Sequence, residues 1–156
     1  KNHWQYDILV NGFNYRLSDI NCALGLSQLK KINFFLRERK KIYKNYLSEL
    51  KNFNLNLIIP EYSKDIKPSY HLFIINILFD KLKKNKNHFM KFLFKNKIIA
   101  QQHYIPIYKF KIYNEKKTLF HTSEKYINNS VSIPIYLGLD KKKQQKIIKL
   151  IKSYFI

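Results

Sequence analysis

Two short stretches of this sequence carry side chains able to do chemistry. The first is Gly12-Phe13-Asn14-Tyr15-Arg16-Leu17-Ser18-Asp19. Ser18 is a helix-capping residue type, and Asp19 suits the first turn of the helix it would start. A helix start presents unpaired backbone N–H groups. The Asn14 amide and Arg16 guanidinium beside it add donors for a phosphate or a carboxylate. The same residues also suit a plain turn and a surface ion pair. The second stretch is Gln101-Gln102-His103-Tyr104-Ile105-Pro106-Ile107-Tyr108, where a strand runs out into a Pro-containing loop. His103 and Tyr104 both have hydrogen-bonding tips and face opposite sides if the strand persists through them. A sheet-end His and a core Tyr are the structural alternative.

Elsewhere the chemistry is sparse. The five His residues have no chelating spacing with one another and acidic residues number only 10, so no metal site is expected. Cys22 lies in a helical pattern beside Ala23 and Leu24 and is expected to be a buried packing residue. His71, inside an apolar run, is expected to be a satisfied core His. There is no Gly-rich phosphate loop, no carboxylate pair and no Ser-His-Asp set. The residues offer binding groups and no catalytic group of their own.

The elements that must position these groups follow from periodicity. Tyr6 to Val10 reads as a strand, with a turn signal at Asn11-Gly12. From Ser18, Ile20, Ala23 and Leu24 recur at helical spacing. After Lys30-Lys31, residues Ile32, Phe35, Leu36, Tyr43, Tyr46, Leu47 and Leu50 form one stripe, interrupted by Arg39. Residues 18–51 thus read as one long helix or a helix pair with a break near 31. Residues 52–69 are mixed. Tyr70 to Phe79 is nearly all apolar and predicts a strand buried on both faces. A helix is expected over 87–96, a strand over 98–104, a short helix, and a strand over 130–135. Asp140 caps a final helix with its stripe at Ile147, Leu150, Ile151 and Tyr154. This is an α/β or α+β chain with a small sheet covered by helices. The front helix carries more apolar face than so small a sheet can cover, so a further domain or subunit is expected on the stripe from Ile32 to Leu50.

The chain has 156 residues and a formal net charge of +20. Of its 30 basic residues 27 are Lys and 3 are Arg, and Asn, Ile, Phe and Tyr are also abundant. These types share A/T-rich codons. A reader of nucleic acid would favour Arg for forked contacts, so nucleotide bias accounts for the basicity better than selection for a polyanion. The field still attracts anionic small molecules. A single Cys excludes a disulfide scaffold, and no apolar run reaches the ~18 residues of a membrane span.

The same segments, taken in order, resemble the DegT/StrS nucleotide-sugar aminotransferases. Gly12 to Asp19, followed by Cys22-Ala23-Leu24-Gly25-Leu26-Ser27-Gln28-Leu29-Lys30-Lys31, looks like that family's middle signature. Arg37-Glu38-Arg39 and Tyr46 continue it. Ser69-Tyr70-His71-Leu72-Phe73, His103-Tyr104-Ile105-Pro106-Ile107-Tyr108 and Ser132-Ile133-Pro134-Ile135-Tyr136 match the later ones. Five blocks in order, across essentially the whole chain, make the resemblance specific. Two of the runs look most like the branch that makes a UDP-linked 4-amino-4,6-dideoxy sugar with glutamate as amino donor.

The resemblance implies the aspartate aminotransferase fold (pyridoxal phosphate fold type I). The expected division is 1–17 as the end of a large-domain segment, 18–51 as the inter-domain helix or helix pair, and 52–156 as the C-terminal small domain. The large domain with the cofactor-holding Lys is expected upstream, since no Lys here sits in the family's Lys context. Asn14 is implied to reach the pyridoxal phosphate of a neighbouring subunit, and Arg16, His103 and Tyr104 to contact the nucleotide-sugar. A cytoplasmic homodimer with shared active sites, serving surface-glycan sugar synthesis, is implied. A basic nucleic-acid-binding module and a non-catalytic structural fragment are the competing readings. On this reading, pyridoxal phosphate followed by borohydride labels many surface Lys of the chain without amino transfer. Stoichiometric labelling of one Lys together with turnover would exclude it.

Overall fold

Ser18 starts a helix as its type suggests: its Oγ accepts from the Asn21 N–H at 3.4 Å. The helical stretch read over 18–51 divides at Lys30–Lys31 into α1, Asp19–Leu29, and α2, Ile32–Lys51. The computed structural model describes residues 10–51, 53, 57–59, 62–63, 65–113 and 120–156. The strand read over Tyr6 to Val10 lies, but for Val10, outside the described residues. The chain divides into two compact units, Lys1–Asn33 and Phe34–Ile156.

In the first unit, Val10 bends into an irregular segment that leads to α1. No residue of α1 is buried, and Ile20, Leu24, Leu26 and Leu29 are each at least 59% exposed. This corrects the expectation for Cys22. Its thiol is exposed and donates toward the Leu17 carbonyl at 4.0 Å, on a helix none of whose residues is buried.

The second unit is built on a three-stranded antiparallel sheet in the order β1–β2–β3. Strand β1 is Leu57–Ile58, β2 is Phe73–Ile77 and β3 is Ser130–Ile133. Register pairs Phe73 with Ile133, Ile74 with Ser132, Ile75 with Val131 and Asn76 with Ser130. Alternation therefore gives the sheet two unlike faces. Phe73, Ile75, Ile77, Val131 and Ile133 enter the core. Ile74, Asn76, Ser130 and Ser132 share the opposite face.

Three helices cover the core face. They supply Ile42, Tyr43, Tyr46 and Leu50 from α2, Phe89 and Leu93 from α3 (Lys86–Lys95), and Ile147, Ile148 and Ile151 from α5 (Lys141–Phe155). Fully enclosed side chains such as Phe73, Phe89 and Leu93 contribute roughly 1.5–3 kcal/mol each. The stripe of α2 is thus half covered by the chain itself. Tyr43, Tyr46 and Leu50 are buried and Leu47 is half-buried, whereas Ile32 at its start is exposed. The expectation that the whole stripe awaits a partner is corrected for Tyr43 to Leu50.

Caps set the other helix starts. Asn85 Oδ1 accepts from the His88 N–H at 3.1 Å ahead of α3, and Asp140 Oδ1 from the Lys143 N–H at 2.7 Å ahead of α5. Two strand expectations change. The run from Tyr70 to Phe79 contributes only five residues of strand, and its second face is half-buried. His71 falls before that strand and is exposed, so it is not a core His. The strand read over 98–104 is reduced to one bridge, in which Gln101 and Ser132 exchange backbone hydrogen bonds of 2.9 and 2.8 Å. Beyond it the chain passes through Pro106, which has no N–H to continue a ladder, into a 3₁₀ turn at Ile107–Lys109. Helix α4, His121–Asn129, then leads directly into β3.

Lys86 ties this irregular stretch to the helices. Its ammonium donates to Gln102 Oε1 at 3.0 Å and to the Ile127 carbonyl near the end of α4. Partial burial, then the like charge of Lys109, lowers its pKa from 10.5 to about 8. Between those two values the unfolded chain holds a proton on Lys86 that the folded chain lacks, so this group makes stability rise with pH across that window. Lys86→Met is expected to flatten the rise. Urea unfolding of both chains below, within and above the window measures it, and identical slopes would refute the assignment.

Candidate functional site

The site lies at the end of β3, where Ser132 from one face of the sheet and Ile133 from the core face both border it. Ser132, opposite Ile74 on β3, holds its Oγ 2.8 Å from His103 Nδ1. The Gln101–Ser132 bridge places His103 two residues along, within reach of that hydroxyl. The Tyr126 hydroxyl of α4 donates to the His103 carbonyl at 3.4 Å. Further on, Tyr108 stacks on Phe120 at 4.3 Å, and its hydroxyl donates to Glu124 Oε1 at 2.9 Å. Lys109 pairs with the same carboxylate at 2.8 Å. The loop carrying His103 is thus braced on both sides.

His103 opens into a cavity of about 580 Å³. Ile98, Ile133, Leu139 and Ile147 give it apolar walls. Its polar lining is basic: Arg39, Lys97, Lys143 and Lys146 join His71, Gln101 and Tyr136, with no carboxylate among the described residues that line it. Asp140 lies close by, pairing with Lys143 at 3.3 Å. Arg39 is oriented by donating through Nη1 to the His71 carbonyl at 3.2 Å, which leaves other guanidinium N–H groups for a ligand. A concave, mostly apolar space rimmed by cations and one imidazole suits an organic anion.

Tyr104 is placed differently. With no strand through this segment, the two rings do not point to opposite sheet faces. The His103–Tyr104 peptide is cis, and the rings meet edge to face at 4.8 Å. Tyr104 is 70% exposed and does not line the cavity. Asn14 and Arg16 belong to the first unit, in the irregular segment before α1, and both are exposed. An amide and a guanidinium two residues apart, ahead of a capped helix, form a donor set that fits a phosphate monoester. Among the described residues no three His, Cys, Asp or Glu side chains gather as a metal set. No described helix is long and apolar enough to cross a membrane.

Sequence reasoning missed Arg39, Ser132, Lys97, Lys143 and Lys146 as parts of one cavity. Arg39 left a signal, as the one cation interrupting an apolar stripe. Ser132 left another, as a hydroxyl within a strand. The Lys residues left none amid so many others.

Comparison with known proteins gives these features a context. The profile of the DegT/DnrJ/EryC1/StrS aminotransferase family matches residues 1–152. A UDP-4-amino-4,6-dideoxy-N-acetyl-beta-L-altrosamine transaminase of Campylobacter jejuni is 35% identical over 148 residues, covering 91% of this chain and 38% of the relative. A GDP-perosamine synthase of Vibrio cholerae is 27% identical, covering 97% of this chain and 40% of the relative. Among solved structures, Helicobacter pylori PseC, an aminotransferase involved in the biosynthesis of pseudoaminic acid, superposes with a TM-score of 0.80 at 28% identity. That match covers 99% of this chain and 42% of PseC. The chain therefore spans about two-fifths of the length of these relatives. The fold is the one the resemblance implied, a small antiparallel sheet and long helix from a fold type I aminotransferase.

The Ser132–His103 contact can be checked directly. Ser132→Ala removes the partner of His103 Nδ1 and is expected to cost about 1 kcal/mol. It should also move the ¹⁵N resonances of the His103 ring. Unchanged ring resonances would show that the hydroxyl does not hold the imidazole.

Proposed function

The chain belongs to the DegT/DnrJ/EryC1/StrS aminotransferase family, and from that premise we propose that it is the substrate-facing C-terminal part of a pyridoxal phosphate-dependent transaminase. The acceptor is the C4 keto group of a nucleotide-linked 4-keto-6-deoxy sugar, with a UDP-sugar favoured and glutamate as amino donor. The product serves surface-glycan synthesis in the cytoplasm. One observation carries the reading: the cavity at His103, lined by Arg39, Lys97, Lys143 and Lys146 with no carboxylate among the described residues, fits a phosphorylated organic substrate.

Each residue has a binding or orienting task. Asn14 donates its amide to the cofactor phosphate of the neighbouring subunit in a homodimer. Arg16 meets the anionic part of the nucleotide-sugar. His103, oriented through Nδ1 by Ser132, has Nε2 left for the sugar. The exposed Tyr104 hydroxyl closes on the same substrate. The cofactor, when bound, supplies the electron sink for amino transfer. Within this chain the residues bind and orient; the Lys that handles protons lies in the cofactor-binding part of the complete enzyme.

Half-reactions separate these tasks. In the complete enzyme, Asn14→Ala removes a donor to a charged acceptor and should weaken cofactor retention by ~1.5–3 kcal/mol. Arg16→Ala, His103→Ala and Tyr104→Phe should leave the cofactor bound and raise KM for the nucleotide-sugar, while the glutamate half-reaction is largely spared. Mixing Asn14→Ala subunits with subunits lacking the cofactor-holding Lys should give dimers with one complete site. If such dimers form and stay inactive, Asn14 does not act in trans.

A further inference from the structure

A second cavity, of about 440 Å³, adjoins the basic one along α2. Tyr43, one helical turn after Arg39 and on the same face, lines it together with Tyr62 and Tyr70. His71 and Leu72 wall both cavities. The Tyr43 ring lies 5.0 Å from that of Tyr70 and 5.9 Å from that of Tyr62, and the Tyr62–Tyr70 pair meets at 6.2 Å and 90°. Tyr43 is buried, whereas Tyr62 is 46% exposed, so the cluster is closed toward α2 and more open at Tyr62. Tyr70 holds a φ of 51°, a left-handed conformation uncommon for a bulky residue and one that recurs at ligand sites. Ile66, Pro68 and Ile74 make the remaining wall mostly apolar, with Ser69 as its hydroxyl.

The two cavities ask for opposite chemistries. A wall of tyrosine rings, with no carboxylate or ammonium group among the described residues that line it, favours a flat, uncharged, polarizable ring. The cations next door favour phosphate. A nucleoside diphosphate satisfies both at once. We infer that the tyrosine cavity takes the nucleobase of the nucleotide-sugar, stacked on Tyr62, with the diphosphate passing the His71–Leu72 wall to Arg39. This rests on the substrate class given above and adds to it a place for the base.

Uridine, UDP and inorganic pyrophosphate, titrated separately against the chain by calorimetry, test the assignment. Tyr62→Ala should weaken uridine and UDP on the order of tenfold and leave pyrophosphate unchanged. Tyr62→Phe should bind all three as the parent does. Arg39→Gln should weaken UDP and pyrophosphate and spare uridine. The far-ultraviolet spectrum of each variant reports that it has kept its fold, as the exposure of Tyr62 leads one to expect. Parental UDP affinity in Tyr62→Ala, or no uridine binding by the parent, overturns the base site. The substrate reading fails separately. A complete enzyme that binds UDP through Tyr62 yet transfers no amino group to a UDP-linked keto sugar keeps the site and loses the activity. Turnover with an unchanged KM in Tyr62→Ala does the reverse.

Discussion

A fully enclosed phenol sits where α2 meets the sheet, and its hydroxyl has to be satisfied inside the protein. Tyr46 meets that constraint by donating to the Pro134 carbonyl at 3.0 Å. Burial, then the neighbouring Tyr136, holds the phenol protonated well above its ordinary range. Pro134 follows β3 directly, so the bond fixes the end of that strand to the helix. Arg39 lies seven residues earlier, two turns along the same face of α2. One hydrogen bond thereby sets the spacing between the guanidinium on the helix and the strand whose Ser132 holds His103.

The seam between α2 and α5 reinforces that spacing. Gln144 is buried with both ends of its amide used: Nε2 donates to the Ile42 carbonyl at 2.7 Å, and Oε1 accepts from Asn45 at 2.8 Å. Glu49 adds contacts from Gln145 at 3.3 Å and Lys152 at 3.4 Å. The half-exposed ion pair adds little by itself, whereas leaving the buried amide unpaired would cost about 1–3 kcal/mol. The core face of the small sheet also reaches the cavity, through Ile133. Phe73, Ile75 and Ile77 build the core face, and the alternate positions leave Ser132 free to engage an imidazole.

The parts legible in the sequence were those with a local physical cause. Ser18 and Asp140 cap helices because their short side chains reach backbone N–H groups three residues on. The stripe from Tyr43 to Leu50 is buried because its 3.6-residue spacing matches one helix face. Phe73 to Ile77 is a strand because little else suits so apolar a run bounded by Pro68 and the Phe79–Lys84 turns. His103 was legible as a polar tip at the end of an extended segment. The remainder depended on distant partners. One bridge at Gln101 leaves no alternation to read, so 98–104 looked like a strand. His71 is exposed because the strand starts two residues after it, which the apolar run does not reveal. Arg39 joins His103 only once the sheet has folded beneath α2.

Cys22 stands near the start of α1, exposed, and is the sole thiol in the sequence. A spin label or fluorophore can therefore be attached at one known point of the native sequence, on the helix whose Leu24, Leu26 and Leu29 lie bare. Quenching, anisotropy or accessibility to a paramagnetic reagent at that point would register whatever comes to rest on α1. The unburied thiol makes the chain its own reporter of assembly.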